Sequence, residues 1–312
     1  MILVLRALGV GDLATGVPAL RALRAAFPGD ELVLAAPTWL TPLIDLIGGV
    51  DRVLPTDGLG GPAQDWLAGS PPKLAVNLHG SGPESHRLLL GTRPARLWAF
   101  RNAAAGHLDG PEWSDDEHEV RRWCRLLRHY RIDADESDLR LETRSGYARS
   151  GVTIVHPGAK SPSRRWPPER YAEVARRLED TGHHVVITGS PAERDLTAKV
   201  AADAGLGPEA LPGTDLAALA GLIAGARLLI SGDTGVSHLA TAFGTPSVTL
   251  FGPMSPARWG PPPDRPRHRV IWHGTRSERG DDPGPDVHPA LLAVTVEETL
   301  AAAGQALASA RC

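Results

Sequence analysis

The chain has 312 residues, 42% of them hydrophobic and 22% charged, which predicts about two globular domains and argues against extensive disorder. The formal net charge is −3, and neither half is positive, because residues 1–150 carry 17 basic and 19 acidic side chains and residues 151–312 carry 16 and 17. Binding of nucleic acid through bulk electrostatics is therefore unsupported, since such binding needs clustered positive charge.

Short apolar runs alternate with helical patterns along the first half of the chain, which predicts βαβ units and a parallel sheet. The strands are expected near residues 1–6, 31–36, 50–55, 73–79 and 95–100. The helices are expected near residues 15–26, 38–47, 84–90 and 117–131. The last of these helices carries five arginines that we interpret as a solvated face, namely Arg121, Arg122, Arg125, Arg128 and Arg131.

A glycine-containing loop follows the first predicted strand. Gly9, Gly11 and Ala14 match the GxGxxA pattern of dinucleotide-binding proteins. That pattern places a pyrophosphate at a helix N-terminus, where the carboxylate of Asp12 would repel it, and no acidic residue follows the second strand to bind a ribose. Asp12 is therefore either a helix cap or a general base for an incoming hydroxyl, with the glycines letting the backbone or a sugar of another molecule come close.

The alternating pattern lapses at residues 140–151, which are polar with Gly and Ser and indicate a linker. We therefore predict domains at residues 1–145 and 146–312. In the second domain, strands are expected at residues 152–156, 183–189, 227–231 and 247–251, and helices at residues 168–180, 191–204, 215–225 and 235–243.

Beyond residue 252 the alternation of strands and helices is not expected to continue. Residues 253–289 are rich in Pro, Arg, His and Asp and are expected to be mostly loop, with a short strand at residues 269–272. An alanine-rich helix from residue 295 is expected to close the chain and to pack back on the N-terminal domain.

The loop after the first strand of the second half carries Lys160, Ser161 and Arg164 ahead of a helix that starts with proline. Arginine can bind a phosphate through two donors at once, and lysine acts as a point charge. A solvated basic loop is the alternative. The position of this loop, which matches that of the Asp12 loop in the first half, favours a phosphate site.

A Ser-Gly-Asp-Thr-Gly turn joins the strand at 227–231 to the next helix and contains Asp233, Thr234 and Gly235. The unpaired amides of a first helical turn are a ready anion site. Ser237 and His238 would point about 100° apart on that helix and do not form a hydrolase pair. Asp233 as a cap and His238 as a packed helical residue are the alternatives.

Together these loops resemble glycosyltransferase family 9, the ADP-heptose:lipopolysaccharide heptosyltransferases. The resemblance rests on five motifs: Gly11-Asp12 with Pro18-Ala19-Leu20, His156-Pro157-Gly158 with Arg164 and Trp166-Pro167, residues 215–226, Ser231 to Leu239, and Phe251-Gly252-Pro253. The Asp-Thr-Gly-x-Ser-His-Leu string is the most specific of them. Residues 56–150 match the family in pattern only.

The resemblance implies an α/β fold of GT-B architecture, with two Rossmann-like doubly wound domains that face a cleft. The N-terminal domain would bind the acceptor and the C-terminal domain a nucleotide-diphosphate sugar. It also implies inverting, metal-independent transfer of a heptose-like sugar, with ADP-heptose the first donor to consider, Asp12 as the catalytic base and no cofactor. Gly9 and Gly11 would line the acceptor loop.

The donor site is expected to comprise Lys160, Ser161, Arg164, Glu193, Asp233, Thr234, Gly235 and His238. Arg164 stands where the family often has a phosphate-binding lysine, and Glu193 lies near the position of a ribose-binding acid. Helix amides together with Arg164 or Lys160 can stabilise a departing diphosphate without Mg²⁺.

The acceptor is expected to be a small molecule or a cell-envelope glycan, because the N-terminal half lacks the positive charge that would attract an anionic lipid. Two other functions stay open. One is a sugar-nucleotide epimerase or hydrolase of the same fold, and the other is a non-catalytic nucleotide-sugar binding protein.

Cys124 and Cys312 lie far apart, so neither a disulfide framework nor a metal knuckle is expected. Residues 1–5 lack a basic leader, and no later segment approaches about 20 uninterrupted apolar residues. The sequence therefore predicts a cytoplasmic protein with peripheral membrane contact at most. We also expect a monomer. The predominance of arginine over lysine is typical of a high-GC bacterium.

Overall fold

The structure is a computed structural model that describes residues 1–60, 71–142, 151–275 and 286–310. The chain divides into two compact units, Met1–Leu139 and Arg140–Cys312, which we call unit 1 and unit 2. The predicted boundary near residue 145 falls outside the described residues. Each unit contains a five-stranded sheet in which all pairings are parallel, so the predicted α/β fold is confirmed.

The sheet of unit 1 has the strand order β3-β2-β1-β4-β5. Its strands are β1 (Ile2–Leu5), β2 (Leu32–Ala36), β3 (Arg52–Pro55), β4 (Leu74–Asn77) and β5 (Leu97–Trp98). Every side chain of β1, β2 and β4 is buried, as expected for parallel strands covered on both faces. The strand order reverses between β1 and β4, and ligands bind at such reversals in open parallel sheets.

The helices of unit 1 are α1 (Val10–Thr15), α2 (Val17–Ala26), α3 (Thr41–Ile47), α4 (Glu84–Gly91) and α5 (Glu119–His129). The sequence predicted one helix at 15–26 and missed α1, because this helix is only six residues long and contains Gly11, which lowers helix propensity. In the structure, the N–H of Gly9 donates to the side chain of Asp12 and stabilises this short helix.

The solvated-face interpretation of the arginine run is wrong at Arg122. This residue is only 3% exposed, its guanidinium pairs with the Glu119 carboxylate, and it stacks over the Trp113 ring at 4.2 Å. Arg121 and Arg128 are exposed, as predicted, and both pair with Glu136.

The sheet of unit 2 has the strand order β10-β9-β8-β6-β7. Its strands are β6 (Thr153–His156), β7 (Val185–Ile187), β8 (Leu228–Gly232), β9 (Ser247–Phe251) and β10 (His268–Trp272). Here the order reverses between β6 and β8. Most of the predicted donor residues follow these two strands, whereas Glu193 follows β7.

The helices of unit 2 are α6 (Pro168–Asp180), α7 (Arg194–Asp203), α8 (Leu216–Gly225), α9 (Gly235–Phe243), α10 (Pro256–Trp259), α11 (Pro289–Leu292) and α12 (Val296–Ser309). Helix α12 packs against α6 and the strands β8, β9 and β10 of its own unit. No helix within the described residues is long and apolar enough to cross a membrane.

Candidate active site

Asp12 lies in the first turn of α1, just after β1. Its Oδ2 atom accepts a hydrogen bond from the N–H of Gly9 at 3.1 Å, and the residue is half-buried. Within the described residues its Oδ1 atom has no hydrogen-bond partner. One carboxylate oxygen therefore stabilises the helix start, and the other makes no hydrogen bond to the described part of the chain.

Arg6 fixes the backbone of this loop, and the sequence analysis did not single it out. The residue is 1% exposed; its Nε donates to the carbonyl oxygen of Asp12 at 2.5 Å and its Nη1 to that of Leu78. Glu119 lies 3.4 Å from the Arg6 guanidinium, which also packs over the Trp123 ring at 4.8 Å. A buried cation thus holds together the loops that follow β1 and β4.

His79 lies in the loop after β4 and was also missed. Its backbone N–H donates to Oδ1 of the wholly buried Asn77 at 2.9 Å. The ring Nδ1 atom is buried and has no hydrogen-bond partner in the described part of the chain. Burial, reinforced by Arg6 and opposed by Asp12, lowers the pKa of His79 to about 4, so its ring is neutral at pH 7.

In unit 2, the loop after β6 is packed against Glu193. A Cβ atom added to Gly158 would lie 2.3 Å from Oε1 of Glu193, so a larger residue there would require the Glu193 side chain to move. Oε2 of Glu193 accepts hydrogen bonds from the N–H and the hydroxyl of Ser190, both at 2.8 Å. Glu193 therefore has a structural capping role at the position where the sequence predicted a ribose contact.

Lys160 and Ser161, in the loop after β6, differ in their exposure to solvent and in their contacts. Lys160 is exposed to solvent. The hydroxyl of Ser161 lies 2.8 Å from that of Ser163, which is buried. Lys160 is thus the more accessible of the two predicted donor contacts.

Arg164 and Asp233 are brought together from the loops after β6 and β8. The Nη2 atom of Arg164 donates to Oδ2 of Asp233 at 2.6 Å and also to its carbonyl oxygen. Asp233 is 4% exposed, whereas the side chain of Arg164 is 19% exposed. The carboxylate therefore orients the guanidinium, which keeps some access to solvent.

Helix α9 begins directly after this pair. Its N-cap residue, Thr234, makes no capping hydrogen bond with its side chain, so the amides at Gly235 and Val236 are left without that partner. The hydroxyl of Ser237 donates to the carbonyl of Thr234 at 2.8 Å, and the His238 ring meets the Trp259 ring edge-on at 5.9 Å. The dismissal of a Ser–His hydrolase pair agrees with these contacts.

A cavity of about 510 Å³ opens at the end of β7 and was not predicted. Its lining is apolar at Ile187, Pro191 and Leu211 and polar at Thr188, Ser190, Arg194 and Asp215, among others. This volume and this mixture of surfaces are typical of small-ligand sites. Asp215 also caps α8 by accepting the N–H of Ala218 at 2.8 Å.

Clusters of three or more His, Cys, Asp or Glu side chains able to hold a metal ion are absent from the described residues. Cys124 is buried, and burial raises the pKa of its thiol to about 12, so it is not a ready ligand or nucleophile.

Comparisons with known proteins match this chain to one family. The family model of glycosyltransferase family 9 (heptosyltransferase) matches residues 111–281. The chain is 32% identical over 150 residues to lipopolysaccharide heptosyltransferase 2 of Escherichia coli strain K12, a match that covers 46% of this chain and 43% of that protein. The match thus spans less than half the length of that relative.

Two solved structures share the fold over nearly the whole chain. The E. coli ADP-heptose lipopolysaccharide heptosyltransferase II has a TM-score of 0.78 at 23% identity, with 100% of this chain and 99% of that chain covered. A glycosyltransferase family 9 protein of Veillonella parvula has a TM-score of 0.78 at 20% identity, with 98% and 97% covered. The predicted GT-B type of fold is confirmed by these neighbours.

Proposed function

Because the chain belongs to glycosyltransferase family 9, the heptosyltransferase family, we propose that it moves a heptose-like sugar from a nucleotide-diphosphate sugar to an acceptor hydroxyl. ADP-heptose is the first donor to test, since a solved structure with this fold is named for it. An envelope glycan is the first acceptor to test, since a relative is named a lipopolysaccharide heptosyltransferase.

One observation carries the proposal. The carboxyl edge of the unit 2 sheet combines three features: the Arg164 guanidinium held by Asp233, the uncapped start of α9 and the cavity at the end of β7. Cations and helix amides bind diphosphates, and a cavity of mixed polarity suits a nucleoside. We assign the diphosphate to Arg164 and α9, with Lys160 as an accessible second cation, and the nucleoside to the cavity.

The transfer proceeds in this proposal as a single displacement. The Asp12 carboxylate takes the proton of the acceptor hydroxyl as that oxygen attacks the anomeric carbon from the face opposite the diphosphate. The bond from the anomeric carbon to the phosphate oxygen breaks, and its electron pair leaves with the nucleoside diphosphate. The product is therefore inverted at the anomeric carbon.

Electrostatic help for the leaving group comes from this chain's own groups. The amides of Gly235 and Val236 and the guanidinium of Arg164 are fixed before the donor arrives, so little reorganisation is needed as charge develops. We propose on this ground that transfer is independent of a divalent metal ion. Treatment with EDTA is expected to leave the rate unchanged, and a loss that Mg²⁺ restores would contradict this.

The test is a screen of nucleotide-diphosphate sugars by thermal shift, followed by a transfer assay with the best donor and deacylated envelope glycans. A ligand at 100 times its Kd adds about 2.7 kcal/mol of stability, which such a screen detects readily. Transfer of the sugar supports the proposal. Consumption of the donor with no glycosylated product would favour the hydrolase or epimerase, and binding without consumption would favour the non-catalytic binding protein.

The monomeric state and the cytoplasmic location stay predictions. Light scattering should give the chain mass of 33.1 kDa for a monomer. Fractionation of cells that express the tagged protein tests the location.

A further inference from the structure

The loops after β1 and β4 start side by side in unit 1. Leu5, the last residue of β1, pairs with Asn77, the last residue of β4. Asp12 lies in the loop and helix that follow β1, and His79 is the second residue after β4. Both therefore lie at the reversal of strand order, where open parallel sheets bind ligands.

The backbone at His79 is held firmly from two sides. Oδ1 of Asn77 accepts its N–H, while Nδ2 of Asn77 donates to the Ser85 hydroxyl at 2.8 Å. The guanidinium of Arg6 donates to the carbonyl of Leu78, the residue before it. Because Arg6 also holds the carbonyl of Asp12, His79 and Asp12 are positioned by the same buried cation.

The Nδ1 atom of His79 is buried and unpaired among the described residues. A buried polar atom without a partner costs about 1–3 kcal/mol, so it is expected to be satisfied when the site is in use. Its own loop offers no such partner, although Asn77, Ser85 and His86 next to it form a complete network. A molecule bound at the reversal of strand order is the candidate for this partner.

The charges around His79 define what kind of group it can meet. Its ring is neutral at pH 7, because burial and Arg6 outweigh the opposing effect of Asp12 on its pKa. A neutral imidazole makes one hydrogen bond at Nδ1 but no ion pair. A hydroxyl group, which can both donate and accept, suits Nδ1 in either tautomer of the ring.

We propose that the imidazole of His79 hydrogen-bonds a hydroxyl of the acceptor carbohydrate, beside the hydroxyl that Asp12 deprotonates, and thereby helps to select the acceptor. This inference rests on the proposed function, in which unit 1 receives the acceptor. It gives unit 1 a binding residue for an uncharged sugar, in addition to the base.

The test compares the full-length wild type with three variants. His79→Leu removes both ring nitrogens at similar volume, and His79→Asn places an amide at the position of Nδ1. His129→Gln is the control, since His129 is an exposed histidine of the same unit whose ring lies 3.6 Å from the Asp109 carboxylate. ADP-heptose is the donor, and a heptose-deficient lipopolysaccharide core oligosaccharide without acyl chains is the acceptor.

The expected result is a change in acceptor binding alone. His79→Leu should raise the acceptor KM by about 10-fold or more, while the affinity for ADP, measured by calorimetry, stays within twofold of the wild type. His79→Asn should recover most of the loss, and His129→Gln should have no effect. An acceptor KM within twofold of the wild type in His79→Leu would overturn the proposal.

A second measurement does not depend on turnover. In protein labelled with ¹⁵N-histidine, the His79 Nδ1 resonance is identified by its loss in His79→Asn. It should shift when the core oligosaccharide or methyl α-D-mannopyranoside is added. A shift without any transfer would contradict the proposed function but support the role of His79, and the absence of a shift with both sugars would overturn that role whatever the turnover.

Discussion

Asp12 has one observed contact and one proposed catalytic role, and one substitution can separate the two. Its Oδ2 atom accepts the N–H of Gly9, which stabilises the start of α1, and its other oxygen is proposed to take the acceptor proton. An asparagine at this position can still accept the Gly9 N–H through its amide oxygen, but it is not a base. The two interpretations of Asp12, cap and base, therefore predict different results.

We expect Asp12→Asn to reduce kcat by about 100-fold or more, as is typical for loss of a general base, and to leave Tm nearly unchanged. Transfer assays and thermal unfolding of the same preparation check both parts. Turnover close to that of the wild type would leave Asp12 with the capping role alone.

Arg164 offers a second prediction for a single side chain. Its Nη2 atom contacts both the carbonyl and the carboxylate of Asp233, a geometry that a lysine ammonium does not reproduce at the same position. We expect Arg164→Lys to weaken ADP binding by about 10-fold, measured by calorimetry. Arg177→Lys is the control, because Arg177 pairs with Glu297 on an exposed surface; equal effects of the two substitutions would contradict the assignment.

The candidate site residues could be singled out from the sequence because each follows a strand and belongs to a motif with a chemical meaning. Asp12, Arg164 and Asp233 are of this kind. Arg6 and His79 also follow strands, but a single arginine or histidine after a strand looks the same in sequence whether it is buried or solvated. Their placement depends on the contact of Arg6 with Glu119 of α5 and on the pairing of β1 with β4, which only the folded chain reveals.

At the scale of elements, helix α5 carries the acidic residue that pairs with the buried arginines of unit 1. Glu119, which is 4% exposed, pairs with Arg6 and Arg122 and accepts the indole N–H of Trp123 at 2.7 Å. The helix therefore supplies the counter-charge for the arginine that holds the Asp12 loop.

We expect Glu119→Gln to destabilise the protein by about 3 kcal/mol, because it leaves two buried guanidinium groups short of a negative partner. Urea unfolding measures the change. Glu112→Gln is the matched control, since the Glu112 side chain is 80% exposed in its pair with Arg101, and a change within about 0.5 kcal/mol is expected there. A small effect of Glu119→Gln would show that the network is replaceable.

Elements whose hydrophobic residues repeat with a clear helical or strand period were predicted well from the sequence, whereas short elements fixed by local capping were not. The strand at 247–251 and the helix at 235–243 have the predicted bounds. Helix α10, within the predicted loop at 253–289, is four residues long and begins where the Ser255 hydroxyl accepts the N–H of Ala257. Such a single turn carries too few residues to show a helical period.

At the scale of the whole molecule, each unit has its own hydrophobic core. One core packs around Leu3 and Leu5 of β1, and the other around Trp166, Tyr171 and the strands of unit 2. We expect calorimetry to resolve two unfolding transitions, one for each unit. ADP should raise the midpoint temperature of only one of them, because the nucleotide is proposed to bind unit 2. Equal shifts of both transitions would contradict a donor site confined to that unit.

Buried histidines give the stability of the molecule a defined pH dependence. Burial lowers the pKa of His79 and His268 to about 4 and also lowers that of His156, from an ordinary value of 6.5. The unfolded chain binds these protons more readily, so stability is full above about pH 6.5 and falls as the pH drops towards 4. Urea midpoints at pH 7 and pH 5 check this, and His268→Gln should reduce the difference between them.

The buried guanidinium of Arg6 has a consequence for how this chain tolerates variation. It donates to two backbone carbonyls and to the Thr15 hydroxyl at 3.1 Å, and Gly16 leaves room for it, since a Cβ there would lie 2.8 Å from its Nε. No other side chain satisfies these acceptors together. A mutational scan that scores cellular abundance should therefore tolerate almost no residue other than arginine at position 6 and glycine at position 16. Asp12→Asn, by contrast, should keep normal abundance but lose activity.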